Sequence, residues 1–376
     1  MNWIARNAAL EQLGVKAQTL YAYVSRGLIA ARPHPDDPRA SLYAAADISA
    51  LVQRRRSGRG RQAIASAAIS WGDPVMETAI TTVREGRLIY RGRDAVRLAT
   101  SASLEDIAAL LWQAPDTASQ KDRGPIPLGE SGKARTLAFL ALRAAGDAPT
   151  LGQDVSVLAA EGAWLLSGFC TAVTGASGRG FFHQRLGRHW GLSPGGVDLV
   201  RRALVLVADH ELNPSTFAAR VAASTGAPLA ACALAGLSTL TGPLHGEASA
   251  RALAYLRDAM SRGSDAALAS LGACGARIPA VGHALYPAGD PRAAALLRWM
   301  KPAPPLKRAI RAAEQTAGEA ANVDMALAAL TVHLRLPDEA PFLIFASGRM
   351  AGWIAHALEQ QSGGQLIRPR ANYTGE

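Results

Sequence analysis

A chain of 376 residues, 49% hydrophobic but only 6% aromatic, is long enough for two or three domains and rich enough in alanine to favour helices. Its three cysteines, Cys170, Cys232 and Cys274, lie far apart and without metal-ligand spacing, which argues against a disulfide framework and fits a reducing cytoplasm. The net charge of +10 is uneven: residues 1–65 carry ten basic and four acidic side chains, so a separate basic module with nucleic acid as a candidate partner is expected.

The N-terminal stretch "MNWIARNAALEQ" carries charges and no apolar segment, so no signal peptide is expected. "NAALEQLGV" predicts a short helix with Leu10, Leu13 and Val15 facing inward and Gly14 as its turn. "KAQTLYAYVSRGLI" predicts a second helix, with Leu20 and Val24 one turn apart and Gly27 as its stop. Two helices on a short glycine turn are a helix-turn-helix pattern. A Pro-rich, hairpin-like loop "ARPHPDDPRASLY" and a third helix from "AADISALVQRRR" follow. This order resembles the winged helix-turn-helix of the MerR family of regulators. A DNA-reading face would carry Gln18, Thr19, Tyr23 and Arg26, with Arg32 and Arg39 on the loop. Asp36 and Asp37 at the loop tip would repel phosphate, and Lys16 stands where a Ser or Thr cap is usual, so a helical docking domain is the alternative.

"RRRSGRGRQ" reads as the end of that third helix and a linker. The expected division is a first domain over residues 1–56, a linker over 57–64, a large helical domain over 65–248 and 346–376, and a small helical domain over 249–345. "METAITTVREGRLIYRGRDA" predicts a small hairpin around Gly86 and Gly92. "SLEDIAALLWQ" predicts a helix capped by Ser103 with Asp106 at its third position, and "APDTASQKDRGPIPLGESG" a loop. From about residue 133 onward, helices punctuated by Gly and Pro dominate. Residues 221–244 carry no formal charge and are long enough to span a bilayer. Their Gly, Pro, Ser and Thr content favours a tightly packed buried helix instead, and no membrane partner is expected.

Several stretches carry polar groups where an apolar helix alone would not need them. "GPLHGEASA" seats His245 between a Gly-Pro turn and the helix "EASARALAYLRDAM", whose Leu253, Leu256 and Met260 follow helical spacing. At a helix N-terminus the free N–H groups disfavour added positive charge, so His245 is expected to stay neutral and to serve as a donor. "ADHELNPSTFAARV" holds Asp209, His210, Ser215 and Thr216. "PAVGHALYPAGDPRAAALL" holds His283 and Arg292, and "ANVDMALAALTVHL" opens an apolar helix with Asp324. "FASGRMAGWIAHAL" puts Arg349 inside an apolar helix, where it needs an anionic partner if buried, and "LIRPRANYTG" places Arg368 and Arg370 near the C-terminus.

Taken in order, ADHE-x-N-x-S-T, GPLHG, GH-x-x-x-x-x-x-DPRA, NVD, GR-x-x-GW and RPR resemble the citrate synthase family from about Pro74 to Gly375. The resemblance implies an all-α fold of a large and a small helical domain, here preceded by the small winged helix-turn-helix domain. It implies condensation of oxaloacetate with acetyl-CoA or another short acyl-CoA, as in citrate and 2-methylcitrate synthases. Asp324 would be the base, His245 would donate to the thioester oxygen, and His283 would polarise the ketone. His210, Arg292, Arg349 and Arg368 would hold the dicarboxylate, Arg368 from a neighbouring subunit, which implies a homodimer. No cofactor beyond the acyl-CoA substrate and no metal is implied.

The chain departs from the family where coenzyme A phosphate is usually held: "LYPAG" offers Pro287, Ala288 and Gly289 in place of a cation. Glu247 and Ser249 follow GPLHG, and a carboxylate there opposes an enolate. Arg179, Arg185 and Arg188 are candidates for compensating charge. A regulator whose citrate-synthase-like body senses a dicarboxylate or acyl-CoA is the alternative, although a sensor has no need of the base Asp324.

Overall fold

The computed structural model describes residues 3–25, 28–35, 37–57, 76–114, 129–371, 373 and 375. The chain divides into two compact units, residues 1–77 with 370–376, and residues 78–369. The expected linker, apart from Ser57, and most of the loop after Gln113 lie outside the described residues.

The first unit begins with β1 (Trp3–Ala5), followed by α1 (Arg6–Leu13) and α2 (Ala17–Ser25). Gly14 ends α1 in the left-handed conformation, φ 59°, which a glycine adopts without strain. The stretch read as a hairpin-like loop forms β2 (Ala31–His34) and β3 (Asp37–Ala44), an antiparallel hairpin whose third strand is β1, in the order β1-β3-β2. α3 (Ala45–Ser57) closes the unit, and its Asp47 accepts from the Ala30 backbone N–H at 2.9 Å. Ala9, Leu13, Leu20, Ile29, Tyr43 and Ile48 make the core, with Leu10, Val15, Tyr23 and Val24 packed partly against it. Gln18 and Arg32 are exposed, and the Arg32 guanidinium lies over the Trp3 ring at 4.6 Å. Arg26 lies outside the described residues, and only the backbone of Arg39, in β3, is described.

The second unit opens with the expected hairpin, extended to a three-stranded meander of β4 (Thr81–Arg84), β5 (Arg87–Tyr90) and β6 (Arg93–Asp94). The remaining described elements are helices: α4 (Ala95–Leu98), α5 (Leu104–Trp112), α6 (Gly132–Gly146), α7 (Val155–Thr174), α8 (Phe182–His189), α9 (Pro194–Leu206), α10 (Pro214–Ala223), α11 (Leu229–Leu240), α12 (Ala248–Arg262), α13 (Ser264–Ala273), α14 (Pro291–Met300), α15 (Pro304–Ala317), α16 (Val323–Leu334) and α17 (Ala340–Gly363). Ser103 and Asp106 form the expected capping box on α5. α17 is the axis of the core. It is buried along almost its whole length, and small residues let neighbours approach it: a Cβ on Gly352 would stand 2.3 Å from Asp209 Oδ1.

The uncharged stretch 221–244 contains the short buried helix α11, not a long span. Among the described residues one helix, α7, is long and apolar enough to cross a membrane, and most of it is buried inside the protein. Along α12 the inward face is Leu253, Tyr255 and Leu256; Met260, expected there, is exposed instead.

Candidate active site

Three helices that carry candidate residues begin alike. Asn213, Asp290 and Asn322 are the N-caps of α10, α14 and α16, and each side chain accepts from the backbone N–H two residues on. Those N–H groups belong to Ser215 (3.1 Å), Arg292 (3.0 Å) and Asp324 (3.0 Å). The cap therefore fixes the first turn of each helix and, with it, the side chain that the turn presents. Pro214 and Pro291 at the first helical positions stiffen two of these starts.

The loops before α14 and α16 are laced together. Val281 and Ala321 form an antiparallel bridge, with Gly282 N–H donating to Ala320 O (2.8 Å) and Asn322 N–H to Ala280 O (3.0 Å). Asn322 Nδ2 also donates to Gly282 O at 3.0 Å. His283 and Asp324 thus stand on one piece of structure. The Leu285 N–H donates to His283 Nδ1 at 3.2 Å, so a neutral His283 carries its proton on Nε2. Burial first, then the Arg292 charge, lowers its pKa.

Asp324 has one carboxylate oxygen, Oδ1, buried without a hydrogen-bond partner. Burial, only partly countered by Arg292, pushes its pKa up to about 7. Arg292 is itself gripped by Asp290, with Nε to Oδ1 at 2.9 Å and Nη2 to Oδ2 at 2.8 Å, in a pair excluded from solvent. Asp290 Oδ2 also accepts from the Val323 N–H at 3.0 Å, which ties this pair to the start of α16. Arg349 is buried on α17. Its Nε donates to Val207 O at 3.0 Å and its guanidinium lies 4.7 Å from the Phe345 ring centre. Among the described residues no carboxylate pairs with it, and burial lowers its pKa to about 10.

His245 lies in the turn before α12, whose N-cap is Glu247, and its Nε2 is 2.9 Å from Ser215 Oγ. The close approach of Gly246 to Leu240 O, where a Cβ would stand at 2.3 Å, holds that turn. The imidazole is kept neutral, its pKa lowered to about 4, by burial and then by Arg349. Ser215 Oγ donates to Asn213 Oδ1 at 2.7 Å and accepts from Trp353 Nε1 at 3.2 Å. His210 lies with its ring 5.0 Å from that of His283 and its Nε2 2.9 Å from Tyr286 OH.

The electrostatic concerns raised by the sequence divide. Glu247 is paired with Lys133 Nζ at 2.9 Å, so its charge is countered locally. Arg185 is spent on structure, bonded to Ser167 O and Ala176 O, while Arg179 and Arg188 are exposed. Pro287 and Ala288 are exposed on their turn, and Arg368 is exposed on the C-terminal segment. Among the described residues no group of three or more His, Cys, Asp or Glu side chains is placed to hold a metal ion. Sequence patterning gives Ser215 no role and does not single out Tyr286, while Asp290 and Trp353 stand in the DPRA and GR-x-x-GW stretches without a role of their own. The signal for Asp290 is its place in the Asx-Pro cap before Arg292.

By class this is a helical protein that gathers a buried carboxylate, histidines held neutral and two buried arginines, Arg292 at a capped helix start and Arg349 within α17. The family model described as citrate synthase, C-terminal domain, matches residues 171–370. The chain belongs to the citrate synthase family. It is 37% identical over 189 residues to the citrate synthase of Haloferax volcanii, covering 46% of this chain and 49% of that protein. It is 35% identical over 185 residues to the 2-methylcitrate synthase of Shewanella oneidensis, with 46% and 49% covered. The chain therefore spans about half the length of these curated relatives. The fold is that of the Thermoplasma acidophilum citrate synthase solved with carboxymethyl coenzyme A and oxaloacetate, with TM-score 0.65, 22% identity, and 81% of this chain and 94% of that one covered.

Proposed function

We propose that this protein condenses oxaloacetate with acetyl-CoA or another short acyl-CoA, giving citrate or a homologue and free CoA. The observation that carries the reading is Asp324, a carboxylate with a buried, unpartnered oxygen and a pKa of about 7. Such a group is matched to taking a proton from a weakly acidic C–H near neutral pH. His245 is the donor to the thioester oxygen. Ser215 donates its proton to Asn213 Oδ1 in the structure; rotation of that hydroxyl toward His245 Nε2 leaves the imidazole proton on Nδ1, where it is offered to the developing enolate. His283 offers Nε2–H to the ketone of oxaloacetate as the new carbon–carbon bond forms. Hydrolysis of the resulting thioester releases CoA. Arg349 and the remaining terminal nitrogen of Arg292 draw in the carboxylates, and His210 closes that wall.

The test is release of free thiol from acetyl- or propionyl-CoA on addition of oxaloacetate. Asp324→Asn should lower kcat by on the order of a hundredfold or more. A wild-type rate no higher than that of the variant, across several acyl-CoAs, defeats the reading.

The active form is a homodimer in this proposal, with Arg368 completing the partner's site. Leu142, Leu151, Val155 and Val157 are exposed apolar side chains on or beside α6 and α7, and they support a self-association surface. The large domain would comprise 65–248 and 346–376, and the small domain 249–345. The first unit, taken as a winged helix-turn-helix, is proposed to bind duplex DNA through Gln18, Thr19, Tyr23, Arg26, Arg32 and Arg39. Its two-helix order, hairpin and local positive charge favour this as a second activity. If it does, affinity for DNA fragments falls steeply with salt.

A further inference from the structure

We propose that His356, buried in α17, is the positioning residue that fixes the oxaloacetate wall, by bridging the Asp209 carboxylate to the Arg220 guanidinium. The inference rests on the condensation reading above and deepens it. Arg349, Gly352, His356 and Gln360 follow one another at steps of three or four residues, so they share one face of α17. That face grips the segment between α9 and α10 residue by residue. Arg349 Nε donates to Val207 O, the Gly352 N–H donates to Ala208 O at 3.0 Å, and His356 Nε2 lies 3.2 Å from Asp209 Oδ2. The Tyr90 hydroxyl also holds the segment, accepting from the Asp209 N–H at 3.3 Å. The next residue along is His210, whose ring stands against that of His283.

The chemistry of the two partners fixes which way the bridge runs. Burial works against the Asp209 charge, but His356 and then Arg349 outweigh it and hold the carboxyl below its usual range, so Asp209 only accepts. Arg220 Nη1, 3.4 Å from His356 Nδ1, belongs to a guanidinium that only donates. His356 therefore donates from Nε2 and accepts at Nδ1. Arg220 stands on α10, the helix whose first turn presents Ser215 to His245. It is fastened to α17 a second and third time, through Gln360 Oε1 at 3.0 Å and Glu359 Oε2 at 2.8 Å. The bridge thus holds three pieces in one register: the segment that delivers His210, the helix of Ser215 and the helix of Arg349. Both ends are buried charges, so removing the middle leaves each seeking another partner.

His356→Leu keeps an apolar filler and removes the bridge. KM for oxaloacetate, and the calorimetric Kd for oxaloacetate alone, should rise roughly tenfold, with KM for acyl-CoA unchanged. His356→Gln can donate to Asp209 from Nε2 and accept from Arg220 at Oε1, so it should return both to within about twofold of wild type. Where His356→Leu does not fold, Arg220→Lys is read in its place: it keeps a charge facing Glu359 but loses the fork, and should raise KM for oxaloacetate by roughly threefold or more. Wild-type oxaloacetate affinity in folded His356→Leu or Arg220→Lys overturns the inference. So does an equal loss for oxaloacetate and acyl-CoA, which means general loosening, or a His356→Gln as weak as His356→Leu, which means that ring packing alone matters. Wild-type protein that neither binds oxaloacetate nor releases thiol sinks the condensation reading and this inference with it. Active wild type with an indifferent His356→Leu sinks this inference alone.

Discussion

The corner around Arg292 and the stretch of α17 around Arg349 solve the burial of a guanidinium in opposite ways. Arg292 is met by both oxygens of Asp290, two residues before it, and its charge is more secure than in water. Arg349 has a backbone carbonyl and an aromatic ring for company, and its charge is held at a cost. A paired arginine is architecture that also points one nitrogen at the site. An unpaired one is a standing demand for an anion. Stability and affinity are therefore assigned to different arginines.

The strongest break in this comparison is Asp290→Ala. It strands the Arg292 charge and removes the acceptor for the Val323 N–H, so chemical denaturation should show a loss of about 3–5 kcal/mol. A loss below about 1 kcal/mol would mean that Arg292 finds water or another acceptor. Arg349→Met should behave in the reverse sense. Relief from desolvation outweighs the missing bond to Val207, so the ligand-free protein should gain about 1–2 kcal/mol. The same variant should raise KM for oxaloacetate roughly a hundredfold, because it takes away a guanidinium that grips a carboxylate. If Arg349→Met is both less stable and normal in affinity, the assignment is reversed.

Asp324 sharpens the same contrast, because it too is buried without a full complement of partners. Its folded pKa of about 7 lies above the unfolded value near 3.9. Its contribution to stability is therefore complete below about pH 4 and is lost as pH rises through 7. Asp324→Asn should be more stable than wild type at pH 8 by on the order of 1–3 kcal/mol, and the gain should vanish near pH 4. In turnover, kcat should fall as pH drops below about 7 in the wild type, since the base is then protonated. The smallest expected effect is at Glu247. Its pair with Lys133 is partly exposed, so Glu247→Gln should change stability by less than about 1 kcal/mol and leave kcat within a few-fold.

The residue order makes the family, the helical body and the ends of most helices legible, because caps and Gly-Pro punctuation are local. Ser103 with Asp106 and Gly14 are readable from three or four neighbours, and the structure shows the same cap and turn. What is not legible depends on partners far along the chain. Glu247 reads as a liability until Lys133, 114 residues away, meets it. Burial and Arg349, 104 residues away, lower the His245 pKa, and neither is visible in the turn beside it. Tyr286 and Trp353 carry no role in the sequence reading, since nothing in the spacing says which hydroxyl or imidazole an aromatic will touch. The hairpin of β2 and β3 is legible as a hairpin-like loop, but its pairing with β1, some forty residues earlier in the chain, is not.

The bridge between Val281 and Ala321 makes the stretches that carry His283 and Asp324 a single heritable part. Neither loop can change length alone, because an insertion in one would shift the acid and the base by different amounts. Drift in this lineage should therefore trade residues within the two loops while conserving their lengths as a pair. A designer transplanting the chemistry to another helical frame would have to lift residues 280–324 as one cassette, leaving His245 and Arg349 to be supplied by the host.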